Sequence, residues 1–377
     1  MKARNYIGLM ILTSLLLSGC QATPAQEIVY FINKTNGLPK SMISFMETNF
    51  PEYDKSYYTI DRRKEENLPI LSNVHRILSY KEFILNRELL EDLRTADKII
   101  VSGVFTLQYV LPIYGKKIME KTYWQFWGGD YEVLRKKNLS VKLKLTKCIV
   151  TYCIRCAKGI ILLTKPERKA FEEVFGNIAN DKLYTAVVPS GQEDENILMK
   201  ARDEHKVVKS NIIVIGNSAT DSNQHLDIFQ KMKHLDTEKI KICCPLSYGE
   251  AQYREDVIKK GKEIFGDRFY PITEYMSYEK YVDFLNSCDV GIYNNNRQQA
   301  LGNISLMLNL GKKVYVPELT KQYYEQFGYK LYSISEVEFT NIENVLKYDT
   351  NVMENNIQCY EQRKKVIYRE WEKILTE

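Results

Sequence analysis

The chain has 377 residues, of which 44% are hydrophobic and 27% charged, a composition that excludes a mainly disordered protein and suits two globular domains with separate cores. Beyond the N-terminus no apolar run reaches the roughly 18 to 20 residues that span a bilayer, which excludes a polytopic membrane protein. The net charge of +5 is concentrated in residues 131–170, where eleven Lys and Arg face two Asp and Glu. Such a basic segment fits an anionic membrane surface, a phosphorylated substrate or nucleic acid, and equally an ordinary solvated helix face.

The first 20 residues resemble a bacterial lipoprotein signal. Lys2 and Arg4 precede an apolar stretch, and the sequence Leu-Ser-Gly-Cys ends at Cys20, the residue that would be lipidated. We therefore separate residues 1–26 as a signal-like or anchor-like segment. Use of this signal would anchor the protein through Cys20, outside the cytoplasm.

From residue 27 onward, short apolar runs alternate with helical patterns, which predicts parallel sheets covered by helices on both faces. Residues 27–205 form the predicted N-terminal Rossmann-like domain, and its predicted strands are 27–32, 98–102, 121–127, 159–164 and 182–188. Residues 206–348 form the predicted C-terminal Rossmann-like domain, and its predicted strands are 211–215, 239–245, 268–271, 289–293 and 312–316. Residues 349–377 are amphipathic and predict a helix that packs back on the N-terminal domain.

The cysteine and histidine pattern gives no support for a metal or cofactor. Cys153-Ile-Arg-Cys156 has a spacing found in redox and zinc sites, but it lies in a helical run without a second pair of ligands. Buried free thiols are the favoured interpretation of the cysteines, and the four histidines form no cluster. We expect no metal ion and no cofactor.

Ligands of open α/β sheets bind outside the carboxyl ends of the strands, so the loops after the predicted strands are the candidate sites. The loop after strand 289–293 carries Arg297, Gln298 and Gln299 and enters a helix through Gly302 and Asn303. An Arg side chain offers a planar fork to phosphate, and a helix N-terminus presents unpaired N–H groups. A plain surface loop is the alternative.

Two further loops of the second domain are candidates for binding a nucleotide. After strand 211–215 comes a glycine-led turn before a helix, which lets backbone approach a phosphate or ribose but is also an ordinary turn. The residues assigned to it are Gly216, Asn217, Ser218, Asn223 and His225. Glu274 follows strand 268–271, where a carboxylate either holds ribose hydroxyls or simply stabilises a helix N-terminus.

The first domain offers a candidate sugar site, in which a hydroxyl group of the sugar would be the attacking acceptor. Two of the three tryptophans lie beside paired glycines and an acid at a strand end, and aromatic faces with a carboxylate suit a sugar. The residues assigned to the acceptor are Trp124, Trp127, Gly128 and Gly129, with Asp130 as the general base. The structural alternative places both tryptophans in the core and makes Asp130 a helix cap.

Three motifs in order resemble the bacterial 4-acetamido-4,6-dideoxygalactose (Fuc4NAc) transferases, glycosyltransferase family 56. They are Phe-Trp-Gly-Gly-Asp at 126–130, Val-Ile-Gly-Asn-Ser at 214–218, and Cys-Asp-Val-Gly-Ile-Tyr at 288–293 with Arg297 beyond it. The resemblance covers roughly residues 27–345. It implies the GT-B fold, two Rossmann-like domains facing a cleft, with the donor nucleotide in the C-terminal domain and the acceptor in the N-terminal one.

The resemblance also implies substrates and a location. Family members transfer a sugar from a dTDP-sugar to an undecaprenyl-diphosphate-linked oligosaccharide at the cytoplasmic membrane face, without an obligatory metal. The basic segment 131–170 would then contact anionic lipid, whereas the Cys20 signal would export the protein away from its donor. An exported two-lobe binding lipoprotein without catalysis is the alternative. A sugar-nucleotide epimerase or reductase is disfavoured, because no Gly-x-Gly-x-x-Gly follows the first strand.

Overall fold

The computed structural model describes residues 25–32, 38–60, 71–77, 79–103, 107–189, 192–203, 210–235, 240–337, 339, 341–347 and 349–377. The strands in these residues are β1 (Glu27–Ile32), β2 (Asp54–Ile60), β3 (Val74–Ile77), β4 (Lys98–Ser102), β5 (Thr122–Gln125), β6 (Gly159–Leu162), β7 (Leu183–Thr185), β8 (Ile212–Ile215), β9 (Lys241–Pro245), β10 (Phe269–Ile272), β11 (Val290–Ile292), β12 (Lys313–Val316) and β13 (Tyr332–Ser333). The signal-like residues 1–20, with Cys20, lie outside the described residues.

Helices separate most of these strands. They are α1 (Leu38–Asn49), α2 (Tyr80–Leu85), α3 (Arg87–Thr95), α4 (Lys116–Met119), α5 (Gly129–Arg135), α6 (Val141–Cys156), α7 (Glu167–Phe175), α8 (Gln192–Asp203), α9 (His225–Met232), α10 (Ala251–Phe265), α11 (Tyr278–Ser287), α12 (Leu301–Asn309), α13 (Glu318–Glu325), α14 (Ile342–Leu346) and α15 (Thr350–Thr376). None of the described helices is long and apolar enough to cross a membrane.

The strands form two sheets, and every strand pair is parallel, as the alternation of strands and helices predicts. The first sheet has the order β3-β2-β1-β4-β5-β6-β7, and the second has the order β10-β9-β8-β11-β12-β13. In each sheet the chain starts at the centre, runs to one edge and returns to the other side. In the second sheet the strand order therefore reverses between β8 and β11, where such folds bind nucleotides.

All ten strands predicted from the sequence are present, with ends that differ by a few residues, but β2, β3 and β13 were not predicted. Strand β2 begins with Asp54-Lys55 and does not read as an apolar run. Lys55 is nevertheless buried, and its ammonium group donates to the carbonyl oxygens of Phe50 and Tyr53, each at 2.8 Å. These bonds compensate the loss of water, so a lysine is tolerated in a buried strand.

The two lobes share part of their core through helix α15. One hydrophobic cluster runs from Tyr30 of the first sheet through Trp371 of α15 to Val214 of the second sheet. The end of α15 is attached to the first sheet, because the buried Lys98 ammonium donates to the carbonyl oxygens of Ile374 and Leu375, each at 2.7 Å. A cation at this position satisfies carbonyl groups that a helix C-terminus leaves unpaired.

The cysteines of the described residues are all free thiols. Cys153, Cys243, Cys244, Cys288 and Cys359 are buried as predicted, but Cys148 is exposed on α6, so burial was wrong for that residue. The described part of the chain contains no group of three or more His, Cys, Asp and Glu side chains placed to hold a metal ion.

Candidate functional site

The two main loops predicted to bind the nucleotide lie side by side in the second lobe. The Gly216 loop follows β8 and the Arg297 loop follows β11, and these strands pair in parallel, with Val290 opposite Ile213 and Ile292 opposite Ile215. Both loops therefore leave the sheet at its carboxyl edge, at the point where the strand order reverses. The adjacency of the two loops thus follows from the strand order of the sheet.

Only glycine fits at position 216, because of its backbone conformation and because His225 leaves no room for a side chain. The φ of Gly216 is +69°, and a Cβ at this position would lie 2.3 Å from Nε2 of His225. The imidazole is fully buried, and burial lowers the pKa of His225 to about 4, so it is neutral at pH 7. His225 lies behind the loop and offers no surface to a ligand. Its position supports the backbone of the loop.

Asn223 supports the same loop from within. Its Oδ1 accepts from the backbone N–H of Asn217 at 3.0 Å, and its Nδ2 donates to the carbonyl oxygen of Ser218 at 2.9 Å. The side chain is fully buried. Like His225, Asn223 shapes the loop and does not itself reach the open side, so the prediction that these two side chains contact the donor is corrected.

Gln299 joins the two loops. Its Nε2 donates to Oδ1 of Asn217 at 3.2 Å and to Oγ of Ser218 at 3.3 Å, while its Oε1 accepts from Oγ of Ser222 at 2.6 Å. Asn217 also donates through Nδ2 to the Tyr248 hydroxyl at 2.8 Å. The sequence indicated Ser222 only as a candidate helix cap and gave no role to Tyr248. Together these bonds fix the floor between β8 and β11.

The Arg297 loop leads into α12 without a side-chain cap. Ala300 precedes the helix with φ +61°, and within the described part of the chain no side chain caps the first N–H groups of α12. Gly302 and Asn303 lie in its first turn, with Gly302 exposed. An uncapped helix N-terminus carries a partial positive charge and free donors, the arrangement that binds anions.

Arg297 is half-buried beside this helix end and has little protein to bind. Its Nη1 donates to the carbonyl oxygen of Gln298 at 3.4 Å, and among the described residues it forms no ion pair within 4.0 Å. Burial lowers the pKa of Arg297, and the acidic groups of Glu132, Tyr131 and Glu167 raise it in turn. The Gln298 side chain points elsewhere, because its Oε1 accepts from the Thr320 hydroxyl at 3.0 Å.

In the first lobe, Asp130 lies in the first turn of α5, two residues after the N-cap residue Gly128. Its Oδ2 accepts from the backbone N–H of Trp127 at 3.0 Å. The indole of the half-buried Trp127 donates to Oγ of Ser102 at 3.0 Å, and the backbone N–H of Gly129 donates to the Trp127 carbonyl oxygen at 2.9 Å. Asp130 therefore lies beyond the strand end as predicted, but it is not the helix cap named as its alternative, because the N-cap residue is Gly128 and the Asp130 side chain bonds an N–H before the helix.

The two lobes meet at Gly128. Its φ is +74°, and a Cβ there would lie 3.4 Å from the Gln298 carbonyl oxygen and 3.8 Å from Nη1 of Arg297. Burial raises the pKa of Asp130 to about 6, while the hydrogen bond from Trp127 and the charge of Arg297 act to lower it. The predicted acid and the predicted cation thus come from different lobes and lie within electrostatic reach of each other.

Two further predicted site residues lie apart from this arrangement. Trp124 is 0% exposed and belongs to the hydrophobic core of the first lobe, so its assignment to the acceptor is corrected. It lies within β5, and its side chain packs under the sheet, whereas Trp127 follows the strand. Glu274 is exposed after β10, an edge strand, and no hydrogen bond or ion pair of the described residues connects it to the Gly216 or Arg297 loop.

Glu167 was missed by the sequence interpretation. It begins α7 after β6, at the same edge of the first sheet as Asp130, and its buried carboxyl group is within electrostatic reach of Arg297. Burial raises its pKa to about 7, against hydrogen bonds from Thr164 and Tyr131. The signal was available, because Glu167 follows a predicted strand by only a few residues.

A family model described as 4-alpha-L-fucosyltransferase, glycosyl transferase group 56, matches residues 49–376. Among solved structures, the Anabaena protein HepE in complex with UDP and glucose is 11% identical, with a TM-score of 0.63 over 93% of this chain and 99% of that one. An alpha,alpha-trehalose-phosphate synthase (UDP-forming) from Burkholderia vietnamiensis is 9% identical, with a TM-score of 0.62 over 92% and 98%.

A glycosyltransferase from Rickettsia africae is 12% identical to this chain, with a TM-score of 0.57 over 94% of this chain and 99% of that one. These likenesses establish the fold as GT-B, with two Rossmann-like lobes. Together with the family match they favour the transferase over the exported binding lipoprotein, which receives no support.

Proposed function

The chain belongs to glycosyl transferase group 56 and is a hexosyltransferase, and from this we propose that it moves an acetamido-dideoxyhexose from a nucleoside diphosphate to a lipid-linked glycan. The proposed donor is a dTDP-Fuc4NAc-like sugar nucleotide. The proposed acceptor is an undecaprenyl-diphosphate-linked oligosaccharide of surface polysaccharide synthesis. The requirement is a site that binds a diphosphate in the second lobe and a sugar hydroxyl in the first.

The observation that carries this proposal is the pairing of Arg297 with the uncapped N-terminus of α12, beside the Gly216 loop. A guanidinium group without an ion pair and a set of free helix N–H groups would stabilise the charge that develops on a leaving diphosphate. Asn217, Ser218 and Gln299 form the polar floor on which the nucleotide would rest.

The proposed reaction forms one bond, breaks another and moves one proton. The acceptor oxygen attacks the anomeric carbon, the bond from that carbon to the diphosphate oxygen breaks, and the acceptor proton passes to the Asp130 carboxylate. With a pKa of about 6, Asp130 is largely ionised at pH 7 yet basic enough to take a proton. Gly128 and Gly129 bring the backbone close to the acceptor, with the half-exposed side of Trp127 beside it.

Helix α6 supports the proposed membrane partner. It exposes Val141 (85%), Leu145 (60%) and Tyr152 (52%) to solvent. The basic side chains on the same helix are Lys142, Lys144, Lys147 and Arg155. Exposed apolar groups among cations suit an anionic bilayer surface. Because nucleotide sugars are cytoplasmic, we place the enzyme peripherally on the cytoplasmic face of the inner membrane. Lipidation at Cys20 is the competing mode of attachment.

The first test concerns Arg297. We expect Arg297→Ala to lower kcat for sugar transfer by about 10²- to 10³-fold, the size of effect seen when a donor to a developing anion is removed. Membranes supplied with a panel of nucleotide sugars give the assay and also identify the donor. Arg369→Ala, an exposed arginine on α15, is the control. Near-normal transfer by the Arg297 variant would sink the assignment.

The second test concerns α6. Charge reversal in Lys142→Glu/Lys144→Glu is expected to weaken sedimentation with vesicles that contain anionic phospholipid, by roughly 1 kcal/mol for each lysine. Transfer to a water-soluble acceptor should be unchanged. The control is Lys259→Glu/Lys262→Glu on α10 of the second lobe. Equal binding of wild type to neutral and anionic vesicles would contradict the proposed membrane contact.

A further inference from the structure

Glu167 is a buried carboxyl group with neutral partners. It is 4% exposed, and its Oε2 accepts from the backbone N–H of Thr164 at 2.9 Å and from Oγ1 of the same residue at 3.2 Å. Its Oε1 accepts from the Tyr131 hydroxyl at 3.2 Å. Among the described residues Glu167 forms no ion pair within 4.0 Å. A buried carboxylate without a cation is unfavourable, so a nearby positive charge would stabilise it.

The cation that shifts the pKa of Glu167 lies on the other lobe. A Cβ on Gly128 would lie 3.0 Å from Oε1 of Glu167 and 3.8 Å from Nη1 of Arg297, so both groups approach the same point. They are too far apart for an ion pair and close enough to interact, since each shifts the pKa of the other in favour of the charged form. Gly128 permits this approach because it has no side chain.

We propose that Glu167 is a positioning residue that orients the Arg297 guanidinium across the gap between the lobes. The inference rests on the proposed function. A guanidinium group has more than one hydrogen-bonding edge, so a carboxylate on one side leaves another edge for the donor diphosphate. Glu167 is itself held by Thr164 and Tyr131 on the first lobe, which also carries Asp130. It thereby couples the acceptor lobe to the cation of the donor lobe.

The competing explanation is structural. Thr164 and Glu167 bond each other at the start of α7, as residues at helix N-termini commonly do. Glu167→Gln separates the two explanations, because an amide oxygen still accepts from Thr164 while the negative charge is lost. Glu173→Gln, an exposed position on the same helix, is the matched control.

The test measures sugar transfer as a function of pH, with binding of UDP and dTDP followed by calorimetry. We expect Glu167→Gln to lower kcat/KM about 10- to 100-fold while the protein stays folded. Glu173→Gln should change neither kcat/KM nor the folded state. The size of this loss is the one expected when the Arg297 guanidinium, which must be held closely in the transition state, is misplaced.

The pH profile gives a readout that a structural role would not change. The groups facing Glu167 are Tyr131 of α5, Tyr323 of α13 and Arg297, and burial raises the pKa of both tyrosines, so they stay neutral. In wild type, kcat/KM should fall as pH decreases through about 7, where Glu167 gains a proton, and again through about 6, where Asp130 does. Glu167→Gln should leave only the fall near 6.

Loss of the upper step together with the lower kcat/KM would support the inference. It would be overturned by a Glu167→Gln enzyme that matches Glu173→Gln, or by one that keeps both steps. The proposed function fails separately, since in that case wild type itself would neither bind nucleotide nor transfer sugar.

Discussion

Gly216 sets the backbone of the proposed donor loop, and its replacement should be costly. In Gly216→Ala the new methyl group would meet the fully buried His225 imidazole at 2.3 Å in a backbone conformation with φ +69°. We expect a loss of about 2 to 4 kcal/mol in the free energy of unfolding, from the strained backbone and the overpacked imidazole. Urea denaturation measures this loss, and calorimetry with UDP and dTDP should show weaker binding.

Gly302→Ala is the matched control for Gly216. Gly302 lies in the first turn of α12 and is exposed, and a Cβ there would meet nothing within 4 Å. Alanine should therefore leave stability unchanged or raise it by up to about 1 kcal/mol, since it favours the helix more than glycine does. Equal losses in the two variants would show that the contact with His225 does not determine the cost.

Residues at strand ends could be predicted from the sequence, whereas the direction of individual side chains could not. Arg297 and Gly216 follow apolar runs, and parallel pairing of those runs places both loops at one edge. Trp124 was assigned to the wrong environment because side chains alternate between the faces of a strand, and both faces of a parallel sheet are buried. Glu167 also follows a predicted strand, but the sequence did not show that the fold brings it opposite Arg297.

Helix α15 attaches the C-terminal end of the chain to the first lobe, and Trp371 is one of its contacts. This side chain is fully buried, its Nε1 donates to the Val187 carbonyl oxygen at 2.9 Å, and its ring meets the Tyr30 ring edge-on at 6.3 Å between centroids. We expect Trp371→Ala to lower the free energy of unfolding by about 3 to 5 kcal/mol, measured by urea denaturation. Lys365→Ala, exposed on the same helix, should have little effect. A small loss for Trp371→Ala would mean that α15 is held mainly elsewhere.

The elements predicted correctly are those whose burial can be recognised from the apolar residues of the local sequence. Strands such as β4 and β8 are nearly continuous apolar runs, which identify strands buried on both faces. Strands β2 and β3 carry Lys55, His75 and Arg76, and their strand character depends on pairing with a neighbour and on local hydrogen bonds. Tertiary contacts that compensate polar side chains are not visible in a local pattern.

Three carboxyl groups with raised pKa values lie where the lobes and α15 meet. Burial raises the pKa of Asp130 to about 6 and that of both Glu167 and Glu370 to about 7, from ordinary values of 3.8 and 4.5. Each group binds its proton more tightly in the folded state than in the unfolded state. Its contribution to stability is therefore complete below its unfolded pKa and is lost as pH rises through its folded pKa. His225, with a pKa lowered to about 4, acts in the opposite direction and offsets part of this change.

As pH rises, these three carboxyl groups should therefore lower the free energy of unfolding of the wild type. A variant that lacks them should not show this loss. We expect Asp130→Asn/Glu167→Gln/Glu370→Gln to gain free energy of unfolding relative to wild type between pH 4.5 and pH 7.5, a window set by the folded and unfolded pKa values. Urea denaturation at both pH values measures the difference, which removes the contribution of His225 because both proteins contain it. The control replaces three exposed carboxylates, in Glu173→Gln/Glu279→Gln/Glu318→Gln. A difference from wild type that stays constant with pH would show that the carboxyl groups at the junction titrate alike in the folded and unfolded chains. In that case the lobes would meet without burying these charges. The electrostatic interaction of Asp130 and Glu167 with Arg297 would then be contradicted as well.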